Sequence, residues 1–552
     1  MRQYEAYSVL ITDEKGKRGT GTLFYAENAA SFYVLTCAHV IYTSHQINIQ
    51  ILIPAAGGPK EESIVVSRDH FRFSPIDKAT VIGDDSTHTC DIAIIECAKG
   101  NLQLTPTRYA LYPMTSGERI VAVGYPKGSD SPVYYQQDEL TAKVLKNQEE
   151  EMTAKIGCKV EITKILVRNI EKAAAKLGDT ALLTNQWEEI VNDPEIEIVI
   201  ELIGGINPAR DYILQALNAG KHVVSANKDL IAVHGHELLE AAHSNKVDFL
   251  FEAAVAGGIP IIRPLKQCLA GNHMTEVMGI VNGTTNFILT KMTQEGMEFK
   301  DALALATELG YAEADPTADI EGLDAGRKVA ILASVAFNSR VVFNDVYTEG
   351  IAKITSKDIR YAKEMGRDIK LLGVARNTED GIEAYVCPML IPSSHPLATV
   401  NDSYNAVFVH GDAVEDAMFF GRGAGELPTA SAVVGDIFDI VRNILIGCCG
   451  RIGCTCYKEI PVKKMENTHN RYFLRLKVED RCGVLAEMTA IFAKYQVSVA
   501  QIIQKDTKVE GCAEVVVITE KVREGDFRTA IEEIRNRDSV RKISTIIRVY
   551  GK

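Results

Sequence analysis

The short stretch ATELGYAEADPTADIEGLDAGRK, residues 306–328, carries Glu313, Asp315, Asp319, Glu321, Asp324 and Lys328. Asp324 and Lys328 are four apart, so on a helix they share a face. A carboxylate beside an amine positions a lysine for proton transfer. The same pair is common as an exposed ion pair on a solvated face, where it contributes little. The neighbouring carboxylates, the loop constrained by Pro316 and glycines, and the apolar run VAILASVAF that follows all favour a site. Leu303, Leu305, Ala306 and Leu309 lie near helical spacing, so a helix is expected to end here with Gly310 just past it. A second helix is expected to start near Asp324 and run through Lys328 and Leu332.

The order A-x3-G-Y-A-x2-D-P-x2-D-I-x-G-x-D-x3-K, from Ala306 to Lys328, resembles the signature of homoserine dehydrogenases and matches it at every fixed position. The resemblance implies that Lys328 is the catalytic acid/base and Asp324 its partner. It implies that Glu313 and Asp319 hold the amino and hydroxyl groups of the substrate.

A length of 552 residues sets an expectation of three or four domains. The chain is 46% hydrophobic and 24% charged, the balance of an ordinary globular protein. Its net charge of −13 argues against nucleic acid or an anionic membrane as the main partner. The start lacks a secretory pattern, and no apolar run reaches about 18 residues, so no membrane span is expected. Twelve cysteines in this length do not make a disulfide framework, and a cytoplasmic protein with reduced thiols is expected.

Residues 1–139 alternate β-branched and aromatic runs (SVLIT, GTLFYA, FYVLTCAHVI, INIQILI) with Gly, Asp and Pro, which predicts antiparallel strands and a small β-barrel. Thr36–Val40 and Cys90–Ala93 resemble the stations of trypsin-like peptidases that carry the His and the Asp, here His39 and Asp91. Gly19–Thr22 and Gly124–Gly128 fit the same family. That chemistry needs a serine in a glycine-rich turn that hands its proton to the His. No G-x-S-G-G occurs, the second barrel is missing, and Ser129 and Ser131 come too early. The segment resembles the first half of a peptidase domain without its nucleophile, and no proteolysis is expected.

Between 140 and 258 apolar strands and helix patterns alternate: VEITKILV, IEIVIELIGG, NPARDYILQALNAG, HVVSANK, DLIAVHGHELLEAAHSN, VDFLFEAAV. Such alternation predicts a parallel, doubly wound Rossmann-type sheet. A sheet of this kind opens with a strand and a G-x-G-x-x-G loop whose following helix holds the pyrophosphate. Here that opening is absent, so the domain is expected to be incomplete at its first strand. Arg119–Gly124 with Gly128 could replace it, although the spacing matches no dinucleotide fingerprint. Arg168, after the second strand, stands where a cation can meet a 2′-phosphate, and leans towards NADP over NAD. Gly204, Gly205, Ser225 and Lys228 end successive strands on the ligand-binding edge. By resemblance Lys228 is a second functional lysine.

Residues 259–447 form the expected catalytic and dimerisation domain of α+β type. In the family the turn before it binds sodium, which carries over to Glu252, Val255, Gly257 and Ile259. Carboxylate and carbonyl oxygens suit such a hard cation. The stretch NGTTN inside an apolar run reads as a substrate pocket or as a plain turn. Gly423, in a small-residue turn after a strand, is expected to approach the cofactor. The family match runs from about Leu140 to about residue 445.

Residues 448–470 read as a linker of reduced thiols, since the spacing C-C-x4-C-x-C is not that of common zinc sites. Residues 471–552 have a βαββαβ rhythm and resemble an ACT regulatory domain. The strand–helix turn with Asp480, Gly483, Val484 and Leu485 is its expected effector site, and the family context suggests a threonine-like effector. The whole reads as an NAD(P)-dependent homoserine dehydrogenase of threonine and methionine biosynthesis, a homodimer or homotetramer, interconverting L-homoserine and aspartate 4-semialdehyde. Loss of the glycine-rich loop is expected to impair it. The alternative is a catalytically inactive chimera that retains amino-acid binding by the ACT domain.

Overall fold

The computed structural model describes seven strands between residues 4 and 98 and, beyond them, residues 149–177, 182–313, 315–509 and 511–551. It divides into two units, residues 1–131 and 132–552. In the first, β1 (Tyr4–Asp13), β2 (Arg18–Ala26), β3 (Ser31–Thr36), β4 (Gln46–Ile53), β5 (Lys60–Ser67), β6 (Phe71–Phe73) and β7 (Ala93–Ala98) make one antiparallel sheet. Its order is β5-β4-β1-β2-β3-β7-β6, and among the described residues it does not close into the expected barrel. His39, Asp91 and the stretch Arg119–Gly128 lie outside the described residues.

The second unit begins with α1 (Glu149–Ile156), then β8 (Ile165–Leu166), α2 (Ile170–Leu177), β9 (Leu183–Thr184), β10 (Ile198–Glu201), α3 (Ala209–Asn218), β11 (His222–Ser225), α4 (Lys228–Ser244) and β12 (Phe249–Leu250). β10, β11 and β12 are parallel neighbours in that order, as strands joined by helical crossovers must be. β8 and β9 pair in parallel as a separate piece. Among the described residues no strand joins β8 to β10. Two expected strands are cut short. Only Ile165–Leu166 of VEITKILV is paired, with β9 its sole described neighbour. VDFLFEAAV stops at Leu250 because the chain turns at Glu252–Ala254.

Next come β13 (Met274–Ile280), α5 (Gly283–Gln294), α6 (Phe299–Glu308), α7 (Leu323–Phe337), β14 (Tyr347–Thr348), α8 (Ser356–Glu364), β15 (Arg367–Thr378), β16 (Gly381–Pro392), β17 (Tyr404–Gly411), β18 (Glu415–Arg422) and α9 (Glu426–Ile446). The C-terminal part is β19 (His469–Glu479), α10 (Val484–Lys494), β20 (Val499–Val509), β21 (Cys512–Thr519), β22 (Val522–Arg523), α11 (Glu524–Arg535) and β23 (Val540–Val549). This is the expected βαββαβ unit with one extra two-residue strand.

The linker does not separate these parts. One sheet runs β18-β17-β13-β15-β16-β23-β19-β21-β20, joined where β16 and β23 pair in parallel through Met389 with Arg548 and Leu390 with Val549. Buried charges reinforce the joint. Arg475 meets Asp358 at 2.8 Å and Glu514 at 3.2 Å, while Arg548 meets Glu524 and Glu349, each at 2.7 Å. Each guanidinium can be buried because two carboxylates use its fork of donors.

α7 positions the site. Its apolar residues pack on β15, β16 and α4, so it is buried on nearly every face. Its first two turns carry Asp324 and Lys328 inward with it.

Candidate active site

The helix predicted from Asp324 begins at Leu323, and its pair is not a surface pair. Asp324 and Lys328 are each 8% exposed. Lys328 Nζ donates to Asp324 Oδ2 and to the Val281 carbonyl, both at 2.7 Å. The other carboxylate oxygen, Oδ1, lies 3.3 Å from Lys228 Nζ. Lys228 reaches it as the first residue of α4, directly after β11. Asn227 sets that start by accepting the Leu230 N–H at 3.1 Å, an N-cap. One aspartate therefore lies between two lysines brought from different elements.

Asn282 completes the arrangement and was not singled out from sequence. Its Oδ1 caps α5 by accepting the Thr285 N–H at 2.9 Å. Its Nδ2 donates to Asp319 at 2.6 Å and to Asp324 at 2.9 Å. The NGTTN stretch is thus both turn and pocket wall. Its visible signal was an asparagine at a strand end before a helix, with an amide N–H₂ left over once the cap is made.

These groups open on a cavity of about 580 Å³ lined by Lys228, Glu313, Asp319, Asp324, Lys328, Gly204 and Gly423, with Asn282, Tyr311 and Thr429. All the expected catalytic and substrate-binding residues meet there. Of the expected cofactor residues, Gly204, Lys228 and Gly423 line it, and three do not. Ser225 is fully buried and gives its hydroxyl to Glu201 Oε2 at 2.6 Å, so it braces the strand ends. Gly205 accepts the Asn227 side-chain N–H at 2.6 Å, and Arg168 is exposed beyond β8. Glu201, the acid inside the apolar run IEIVIELIGG, is the brace itself. Its Oε1 also accepts the N–H groups of Ile203 and Gly204 at 2.8 and 3.1 Å.

The electrostatics follow from the packing. Burial acts to raise Asp324, but the ammonium groups of Lys328 and Lys228 hold its carboxyl well below the usual range. Burial acts to lower Lys228, yet Asp324 and Asp229 keep it above an ordinary lysine. Asp319 goes up, chiefly through burial and against the pull of Asn282. A depressed carboxylate contributes stability that is complete above its unfolded value, about 3.9, and is lost as pH falls through the folded value. Asp324→Asn should therefore flatten the acid limb: below pH 4 its Tm should fall less steeply with pH than that of the unaltered chain. Parallel limbs in a thermal-denaturation series would show that Asp324 is not held this way.

Gly423 sits against a buried amide. A Cβ there would fall 1.9 Å from Asn405 Nδ2, and that amide has no hydrogen-bond partner among the described residues. The expected sodium turn is built differently from expectation in one respect. The Glu252 carboxylate is taken up by three backbone N–H groups, those of Ile261, Ile262 and Arg263, at 2.5–2.8 Å. It holds the start of the helix that follows. Elsewhere His222, Asp248 and Cys449 place ligand atoms within 4.8 Å of one another. Their lone pairs are used: His222 Nδ1 accepts the Asp248 N–H at 2.9 Å, and the carboxylate accepts from Asn443 and Gly450. That knot ties the linker to β12.

Known proteins match this geometry along most of the chain. Residues 260–438 match the homoserine dehydrogenase family model, 139–252 that of the homoserine dehydrogenase NAD-binding domain, 472–538 the ACT domain and 19–161 the trypsin-like peptidase domain. Homoserine dehydrogenase of Bacillus subtilis is 41% identical over 410 residues, 74% of this chain and 95% of that protein. That of Corynebacterium glutamicum is 45% identical over 406 residues, 72% of this chain and 90% of that one. The chain belongs to the homoserine dehydrogenase family.

A crystal structure of a homoserine dehydrogenase from Thiobacillus denitrificans superposes with a TM-score of 0.72 at 42% identity, covering 75% of this chain and 96% of that one. The family's enzymes are NAD(P)-dependent oxidoreductases, and that is the reaction class of this chain. No helix among the described residues is long and apolar enough to cross a membrane.

Among the described residues the cofactor half departs from a complete doubly wound sheet. Between β8 and β10, where no described strand lies, there is a cavity of about 240 Å³. Ile165 and Leu166 line one side and Ile198, Val199 and Ile200 the other, with Trp187, Tyr212 and Ile437 around them. Ile198–Ile200 are half-buried, although a central strand is normally covered on both edges. In the C-terminal part Gly483, at φ +91°, starts α10, Val484 is buried and Leu485 is exposed. Asp480 lines a cavity of about 770 Å³ with Lys477, Arg481, Arg541 and Lys542.

Proposed function

We propose that Lys328 carries the proton between the substrate oxygen and the protein, with Asp324 and Lys228 holding the charge pattern. The observation that supports this reading is the placement of two lysines on one buried aspartate, at the wall of a cavity that also bears Glu313 and Asp319. In the reductive direction aspartate 4-semialdehyde develops negative charge on its aldehyde oxygen. Lys328 Nζ gives that oxygen a proton, and Asp324, 2.7 Å away, aims the lysine. In the reverse direction the same amine removes the hydroxyl proton of L-homoserine. Asp319, held by Asn282, and Glu313 take the amino and hydroxyl groups, which fixes the reacting carbon. Nicotinamide, when bound, supplies or accepts the hydride.

Gly204, Lys228 and Gly423 are the groups on the cavity wall suited to the nicotinamide end, and Arg168 suits a 2′-phosphate, which favours NADP. Among the described residues no strand lies between β8 and β10, and a chain without the glycine-rich loop lacks the backbone N–H groups that would cradle the pyrophosphate. Hydrogen bonds to a charged group contribute about 1.5–3 kcal/mol each, so losing even two weakens the dinucleotide about a hundredfold or more. NADPH fluorescence titration should therefore give a dissociation constant at least about a hundredfold above that of a family member with the complete loop. Binding as tight as such a relative's would refute the impairment. Complete absence of NADPH-dependent turnover at saturating aspartate 4-semialdehyde would favour the second reading, a non-catalytic chimera, which the open place between β8 and β10 motivates.

The backbone carbonyls of the Val255–Ile259 turn suit a sodium ion, with Val255, Gly257 and Ile259 as ligands beside the buried Glu252. The cavity at Asp480 suits an amino-acid effector of the threonine type, whose carboxylate the surrounding lysines and arginines would receive. A homodimer or homotetramer is the assembly this reading carries.

A further inference from the structure

The geometry points to a reactive thiol site at Cys454, resolved by Cys456, that takes hydroperoxides and other soft electrophiles. The linker that holds these residues lies in contact with the catalytic part. Lys266 Nζ donates to the Gly453 carbonyl at 3.1 Å. Cys454 Sγ is 3.9 Å from His236 Nδ1 on α4, and Cys456 Sγ is 3.8 Å from the Ser334 carbonyl on α7. A cavity of about 50 Å³ opens beside both thiols and is lined also by His236, Lys266 and Arg340. Neither cysteine is fully buried, so a small reagent can reach them.

Thiolate is the nucleophilic form, and neighbouring donors and cations favour it. Cys454 has two such neighbours, the Cys456 thiol and His236. They pull it down to about 5, against burial. Cys456 moves the opposite way, upward, because Cys454 sits beside it and it is partly buried. The charged and titratable groups facing the pair are His236 with Glu240 behind it on α4, Lys266 on the turn after Pro264, and Arg340 after α7. The pair thus divides into an attacking thiolate and a protonated partner, the arrangement of a peroxide-sensing dithiol.

The chemistry balances with a hydroperoxide as two-electron oxidant. Cys454 S⁻ attacks the terminal oxygen; an S–O bond forms, the O–O bond breaks, and the leaving alkoxide or hydroxide takes a proton from water. The Cys456 thiol then attacks the sulfenic sulfur; an S–S bond forms, the S–O bond breaks, and water leaves with the thiol proton. Residues two apart span at most about 7 Å, near the upper end of the Cα separation a disulfide accepts, so modest bending closes the bridge. Closure takes Cys456 from Ser334 on α7, the helix bearing Asp324 and Lys328.

The test uses the full chain. Iodoacetamide at pH 6.5, read by peptide mass spectrometry, should label Cys454 about tenfold faster than exposed Cys268 and Cys482, because an ordinary thiol is then only about 1% thiolate. Hydrogen peroxide should join Cys454 to Cys456, reversibly with dithiothreitol. Cys456→Ser should stop at a sulfenic acid that dimedone traps on Cys454, and Cys454→Ser should abolish both products. His236→Phe, away from the thiols' own chemistry, should slow the labelling. Equal labelling of all three cysteines, or peroxide products scattered over the chain, would overturn the assignment. If Cys454→Ser failed to fold, the labelling rates on the unaltered chain decide alone.

Discussion

Replacing Lys328 with methionine should lower turnover about a thousandfold at saturating NADP and homoserine, within the range general acid–base groups supply. Methionine keeps most of the lysine's shape but has no proton to move. Glu313 and Asp319 remain in place, so KM for homoserine should change little. Lys328→Arg separates charge from proton transfer. It keeps a cation beside Asp324, but a guanidinium does not deprotonate in proteins, so turnover should fall almost as far. Asp324 retains Lys228 at 3.3 Å in both variants, and Asn282 still donates to it, so the fold should survive, though with a lower Tm. Turnover within tenfold of the unaltered chain in the methionine variant would remove Lys328 from the reaction.

The second large effect is expected at a glycine packed behind the turn that holds Asp319. Gly350→Ala would place a Cβ 2.0 Å from the Ile320 carbonyl oxygen and 2.5 Å from Glu321 Cα, with no flexible side chain to yield. Overpacking of this kind costs about 3 kcal/mol, or more when backbone must move. Two features pin the glycine. Ile351 donates its N–H to Ile320 O at 2.9 Å, and Glu349 is held by Arg548 of β23 at 2.7 Å. The turn that must shift is Thr317–Ile320, which carries Asp319 to the cavity wall. The expected result is a Tm several degrees lower together with a higher KM for homoserine. An unchanged Tm in differential scanning calorimetry would contradict it. Arg548 lies in the ACT part, so this contact ties that part to the segment beside Asp319.

Sequence made the α7 pair legible because a four-residue interval fixes the face whatever the surroundings. It made the parallel nucleotide sheet legible because strand and helix alternate locally, as β10, β11 and β12 do. Asn282 escaped because its partner Asp324 lies 42 residues away, and only packing brings β13 to α7. Glu201 escaped because an acid in an apolar run looks like surface until strand ends converge on it. Ser225 was assigned to the cofactor, yet its hydroxyl is held by Glu201 within the fold. The joining of β16 to β23 had no local signal, since register between distant strands is set by which edges are left over.

That shared sheet changes what removing the last 82 residues would do. Asp358, fully enclosed, would lose the cation that neutralises it, and Glu349 would lose Arg548. The backbone of Met389 and Leu390 would become a bare rim able to adhere to any other strand. A truncated chain would then precipitate for reasons unrelated to feedback, and its failure would say nothing about whether the effector had been the brake.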